Sequence, residues 1–132
     1  MEGYCTEVKQ FSDACHDNGN PEKPVLMTPE AIAFIREMVN DELDELEEAT
    51  NTVEQADALV DAIYYICDTA VRHGMNLDTL FKIVHRANMQ KVVDGRVIRR
   101  EDGKIMKPDG WEDPEPYLTR EMQRQERDGS FV

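Results

Sequence analysis

Apolar residues recur at helical spacing over the first two-thirds of the chain and lose that rhythm afterwards. Residues 3–16 read as a first helix, with Val8, Phe11 and Cys15 on one side. The turn-rich Asp17-Asn18-Gly19-Asn20-Pro21-Glu22-Lys23-Pro24 ends it. Thr28-Pro29-Glu30 is a start signal: a capping hydroxyl, proline at the first helical position, then an acid in the first turn. From there Ile32, Ile35, Val39, Leu43 and Leu46 form one apolar stripe on a second helix reaching about Ala49. Asn51 and Glu54 have the character of a capping box. They open a third helix that runs to about His73, where Gly74 is placed to end it in a left-handed conformation. Its middle is apolar on nearly every side, so this is the expected central and most buried helix. Asn76 caps a fourth helix, with Asp78 in its first turn and Leu77, Leu80, Phe81, Val84 and Met89 on its buried side.

After Gln90 the texture changes. Residues 96–107 read as two short extended pieces around a turn at Asp102-Gly103. Pro108, Gly110, Pro114 and Pro116 keep the next stretch irregular, and residues 117–127 can form a weak, polar last helix. The expected fold is all-α: a four-helix bundle over about residues 3–91, with a small basic β-ribbon and tail over 92–132, all in one domain of 132 residues.

Charge narrows the function classes. Fifteen Lys and Arg against 28 Asp and Glu give a net charge of −13. That argues against nucleic acid or an anionic membrane as the main partner, since both need a basic footprint. The longest apolar run, residues 62–67, is far too short to span a bilayer, and the first ten residues lack the basic start and apolar stretch of a signal peptide. Cys5, Cys15 and Cys67 are odd in number and lack metal-site spacing, which points to a reducing, cytoplasmic setting.

The acids carry the chemistry. On the third helix Glu54, Asp57, Asp61 and Asp68 lie near one line, at steps of three, four and seven residues. Carboxylates one turn apart on a buried helix repel each other and lose hydration, so they need a cation or a Lys or Arg partner. The second helix offers Asp41, Glu42 and Glu45, and Glu42 borders its apolar stripe. The connection near residues 49–52 is short, so the two helices pack antiparallel and Glu42 and Glu45 can face Asp57 and Asp61. All-oxygen ligands of this kind suit Mg²⁺ or Mn²⁺ rather than zinc. The plainer alternative is a solvated acidic face with structural salt bridges. Lys91, Arg96, Arg99, Arg100, Lys104 and Lys107 crowd into one short segment. They read either as local charge balance or as a rim for phosphate oxygens beyond a cation's reach. Asn88 is a candidate reader of base or ribose, and Trp111 reads as packing. No glycine-rich phosphate loop is present.

The stretches Asp41-Glu42-Leu43-Asp44-Glu45-Leu46, Asp57-Ala58-Leu59-Val60-Asp61-Ala62-Ile63-Tyr64 and Val84-His85-Arg86-Ala87-Asn88-Met89-Gln90-Lys91 together resemble the all-α nucleoside triphosphate pyrophosphohydrolases. The resemblance is to the MazG-like group, and within it to the phosphoribosyl-ATP pyrophosphohydrolase-like branch, over about residues 8–116. It implies a Mg²⁺-dependent cut between the α- and β-phosphates, releasing a nucleoside monophosphate and pyrophosphate. It implies catalytic acids at Asp41, Glu42 and Glu45, with metal ligands at Glu42, Glu45, Asp57 and Asp61. It implies substrate contacts at Asn88, Lys91, Lys104 and Lys107, and a homodimer or dimer of dimers. The chain departs from the family's E-x-x-D motif: Ala58 holds the Glu position, and Asp57 is the substitute. The competing readings are a phosphoribosyl-ATP-type conjugate hydrolase and a non-catalytic helical interaction module.

Overall fold

In the computed structural model, which describes residues 3–132, helix α1 (Tyr4–Cys15) begins at a glycine with no side chain to cap it. A carboxylate from far along the chain does so instead. Asp78 accepts the backbone N–H groups of Cys5 and Thr6, each at 2.9 Å, and the Thr6 hydroxyl at 2.8 Å. An acid at a helix N-terminus meets both the orphan N–H groups and the positive end of the dipole. A Cβ on Gly3 would fall 2.5 Å from the Asp78 Cγ, so the closeness of that carboxylate is what demands glycine.

The other helices start as their sequences dictate. Thr28 accepts from the Ala31 N–H at 3.1 Å and opens α2 (Pro29–Glu48). Asn51 accepts from the Glu54 N–H at 2.9 Å and donates to the Glu54 carboxylate at 2.7 Å, opening α3 (Thr52–Arg72). Helix α3 closes in a Schellman arrangement: Met75 N–H reaches the Ala70 carbonyl and Gly74 N–H the Val71 carbonyl. Gly74 has φ +68°, and a Cβ there would strike the Lys23 carbonyl oxygen at 2.1 Å, so both backbone and space require glycine. Asn76 accepts from the Asp78 N–H and opens α4 (Leu77–Met89).

Helix α3 is central in contact, with α2 packed along it on one side and α1 on another. It also carries the most buried residues of the five helices, Ala58, Ala62, Cys67, Ala70 and Val71. The core lies toward its C-terminal half, where Cys67, Ala70 and Val71 meet Cys5 and Val8 of α1 and are flanked by Met75, Leu77 and Phe131. Several expected core positions are open instead: Val60 is 58% exposed, Ile63 44% and Phe81 73%. Phe11, Cys15, Ile32, Leu43, Val84 and Met89 are exposed as well.

The β-ribbon does not form. Among the described residues there are five helices and no strand, only single bridges at Val93–Arg96 and Arg99–Ile105. The turn at Asp102-Gly103 is present, as the Gly103 N–H to Arg100 carbonyl bond at 2.9 Å shows. The flanking segments are too exposed and too short of paired backbone groups to extend it. A second turn, at Asp94-Gly95, precedes it, with both residues at positive φ.

The polar C-terminal segment is instead firmly attached. Helix α5 (Glu115–Asp128) packs on α4, and Gln125 is completely buried. Its carboxamide oxygen accepts from the Asn76 N–H at 3.1 Å, and its nitrogen donates to the Asn76 carbonyl at 3.0 Å. Asn76 donates onward to the Ser130 carbonyl at 3.1 Å. Glu121 accepts from Arg124 and from the Thr79 hydroxyl, both at 2.6 Å. Bonds to Arg124, Thr79 and Gln125 hold its carboxyl at about 2, well below the usual carboxylate range, against the opposing effect of burial.

Candidate active site

Glu42 is the only buried residue of α2, at 8% exposure. Its position beside the apolar stripe turns it toward α3, where small residues allow close approach. Ala58 and Ala62 are both buried there, and between them in sequence stands half-buried Asp61. Glu45, nearly one turn after Glu42, is exposed. One carboxylate oxygen from each of Glu42, Glu45 and Asp61 lies within 4.8 Å of the others. The spacing expected from sequence is therefore realised across two helices.

The electrostatics are strained. Burial, then hydrogen bonding and charge from Glu45, then the charges of Asp61 and Asp57, push the Glu42 carboxyl above its usual range. Burial, followed by the charges of Asp57 and Glu45, pushes Asp61 the same way. The Glu42 Oε2 is buried without a hydrogen-bond partner among the described residues. A buried orphan acceptor next to two more carboxylates is what a hard cation with oxygen ligands would satisfy. The donor set fits a divalent ion of the Mg²⁺ or Mn²⁺ kind.

The other expected site residues are distributed differently. Asp57 is exposed and outside the close triplet, though near enough to act on Glu42 and Asp61 by charge. Asp41 lines a separate cavity with Arg36, Glu37 and Asn40. Ala58, where the family pattern has Glu, is 2% exposed and fills helix packing space. Asn88, Lys91 and Lys107 do come together, around Trp111. Lys91 donates to the Asn88 carboxamide oxygen at 3.2 Å. The Lys91 and Lys107 ammoniums sit 5.2 and 4.8 Å from the indole centroid. The indole N–H donates to the Ala87 carbonyl at 2.7 Å, so Trp111 pins the post-helical segment to the end of α4. Lys104 is exposed and outside this group. None of these four lines the cavity that holds Glu42 and Asp61.

That cavity, about 440 Å³, is lined by Phe11, Cys15, His16, Glu42, Asp61, Tyr64, Tyr65, Asp68 and Arg72. Phe11 and Tyr64 meet edge to face, with ring centroids 6.3 Å apart. The acidic line on α3 signalled Asp68. Nothing in the sequence paired it with Phe11 or His16, which only the packing of α1 on α3 brings there.

An all-helical fold here carries a close carboxylate triplet beside a cavity, an arrangement that could hold a hard cation. The match is specific: residues 8–88 match the phosphoribosyl-ATP pyrophosphohydrolase family, and the chain belongs to it. This family lies in the MazG-like all-α pyrophosphohydrolase superfamily, so the chain is by family a hydrolase acting on acid anhydrides. No curated protein matches the chain closely enough to add a nearer relative. Family membership sets aside the non-catalytic helical module.

Proposed function

We propose that the protein is a Mg²⁺-dependent nucleoside triphosphate pyrophosphohydrolase that cuts between the α- and β-phosphates, releasing a nucleoside monophosphate and pyrophosphate. The observation that carries this reading is the Glu42–Glu45–Asp61 triplet with its orphaned, buried Glu42 oxygen. Mn²⁺ is the alternative ion for the same oxygen ligands.

Glu42, Glu45 and Asp61 would hold the ion, and Asp57 adds negative charge from just outside. A bound divalent cation there supplies charge neutralisation to the phosphate oxygens as the anhydride breaks. Glu45 is the exposed member of the triplet, so it is the acid suited to orient a water and accept its proton. Asp41 could serve the same water only from its separate cavity, which favours Glu45. Asn88, Lys91 and Lys107, with Lys104 nearby in sequence, would hold the nucleotide and the departing pyrophosphate. With Ala58 in place of Glu, Asp57 is the carboxylate that would substitute for that position of the motif.

Self-association belongs to this reading. The exposed apolar residues of α2, α3 and α4 form more open apolar surface than a solitary domain usually keeps. The lysine group also lies outside the cavity lined by Glu42 and Asp61. A homodimer, or a dimer of dimers, in which one copy's lysines serve another's acids would account for both. The free Cys5, Cys15 and Cys67 support a cytoplasmic location, and no described helix is long and apolar enough to cross a membrane.

Phosphoribosyl-ATP is the second reading of the substrate, favoured by the family match itself. The deciding experiment measures pyrophosphate release from a panel of nucleoside triphosphates and from phosphoribosyl-ATP, with and without Mg²⁺. Metal-dependent release from a triphosphate supports the first reading. Turnover of phosphoribosyl-ATP alone supports the second, and no release from any substrate defeats both.

A further inference from the structure

The α3 helix runs from the acids into the adjoining cavity, and each turn places a different chemistry along it. Asp61 stands at the acidic end, Tyr64 and Tyr65 come one turn on, then Asp68, then Arg72. Seven residues separate Asp61 from Asp68, a rise of about 10 Å, which is comparable with the reach of a nucleoside beyond its α-phosphate. Phe11 and Tyr64, both partly exposed, offer aromatic surface midway. Asp68 and Arg72 are a loose pair: Nη1 lies 3.9 Å from Oδ2, beyond hydrogen-bond distance, and the two side chains are 29% and 45% exposed. Each therefore keeps its hydrogen-bonding capacity for a third group.

We infer that this cavity is the nucleoside subsite of the reaction proposed above, and that Asp68 and Arg72 select a 2-amino-6-oxopurine base. A carboxylate presents two acceptors side by side, and a guanidinium presents a fork of donors. A 2-amino-6-oxopurine carries two adjacent N–H donors next to a carbonyl, so it satisfies Asp68 with two bonds and leaves an acceptor for Arg72. Adenine and cytosine offer one amino group beside a ring acceptor, and uracil offers one N–H between two carbonyls. Each of those leaves part of the pair unmet. Phe11 and Tyr64 supply stacking that every base can use, so they add affinity without choosing among bases. The inference rests on the proposed reaction for the position of the phosphates, but base selection can be measured without turnover.

The test is equilibrium binding of α,β-methylene analogues of guanosine, inosine and adenosine triphosphate to the full chain with Mg²⁺, alongside pyrophosphate release from the natural triphosphates. The guanine analogue should bind about 10- to 100-fold more tightly than the inosine analogue, which lacks the 2-amino group. Asp68→Asn should collapse that ratio toward one. Arg72→Gln should weaken the guanine and inosine analogues together, since both keep the carbonyl. Circular dichroism checks that both variants fold, as expected for partly exposed helix positions. If wild type binds all three analogues alike, or if Asp68→Asn leaves the ratio intact while pyrophosphate is released, the subsite is overturned and the reaction stands. If selectivity appears and Asp68→Asn removes it, yet no triphosphate is hydrolysed, the subsite stands and the reaction fails. If no analogue binds, the subsite is overturned, and pyrophosphate release alone decides the reaction.

Discussion

Glu42 is where folding and function pull in opposite directions. Its carboxyl is raised, so the folded protein holds that proton more tightly than the unfolded chain does. With the cation absent, the group therefore favours folding at low pH and opposes it increasingly as pH rises above the ordinary glutamate value. Glu42→Gln should raise the melting temperature of the metal-free protein at neutral pH and abolish pyrophosphate release. In wild type, Mg²⁺ at a hundredfold excess over its dissociation constant should raise the melting temperature by about 10 °C, and Glu42→Gln should lose most of that rise. A metal-free variant no more stable than wild type would sink this account of the site. Asp61→Ala should abolish turnover with helical content unchanged, because Asp61 is half-buried and makes no hydrogen bond among the described residues that truncation would break. The triplet was legible because helical spacing and a short turn suffice to juxtapose Glu42, Glu45 and Asp61. Asp41 stands outside the triplet, because a neighbour in sequence is turned about 100° away on a helix.

Caps and breakers made the elements legible: Thr28, Asn51, Gly74 and Asn76 each act where the sequence places them. The Asp94-Gly95 pair carries the same kind of signal as Asp102-Gly103 and forms a second turn. Helix α5 was readable as a helix, but its anchorage was not, since a glutamine at helical spacing gives no sign of being enclosed. Gln125→Leu should destabilise by about 2–4 kcal/mol in denaturant unfolding, because Asn76 loses partners for both its N–H and its carbonyl. Glu121 predicts the acid limit of this attachment. Its pKa is depressed to about 2, so its contribution is present above the unfolded value and fades as pH falls from about 4.5 toward 2. Thermal scans of Glu121→Gln should be less stable than wild type at pH 6, with the gap closing toward pH 2.

For the whole molecule, apolar periodicity reports which faces must be covered, not by what. The stripes of α2, α3 and α4 are left largely open in a single chain. Sedimentation should therefore find a mass near 30 kDa or a multiple of it, twice the 15.2 kDa of one chain. Ile63→Asp should shift it toward the monomer. If sites are shared between copies, Asp61→Ala and a Lys91→Ala/Lys107→Ala double variant, each inactive alone, should recover about a quarter of wild-type activity when mixed and reassorted as dimers. No recovery despite proven exchange would place all the site residues in one chain.

The cap that Asp78 provides to α1 also sets an order of events during synthesis. Helices α2 and α3 are joined by a short turn and can pair as soon as both have emerged. Helix α1 precedes both in the chain, yet its leading N–H groups wait for a carboxylate more than seventy residues downstream. Helix α1 is thus a helix that cannot be finished until α4 has begun, and its capping closes a loop of more than seventy residues.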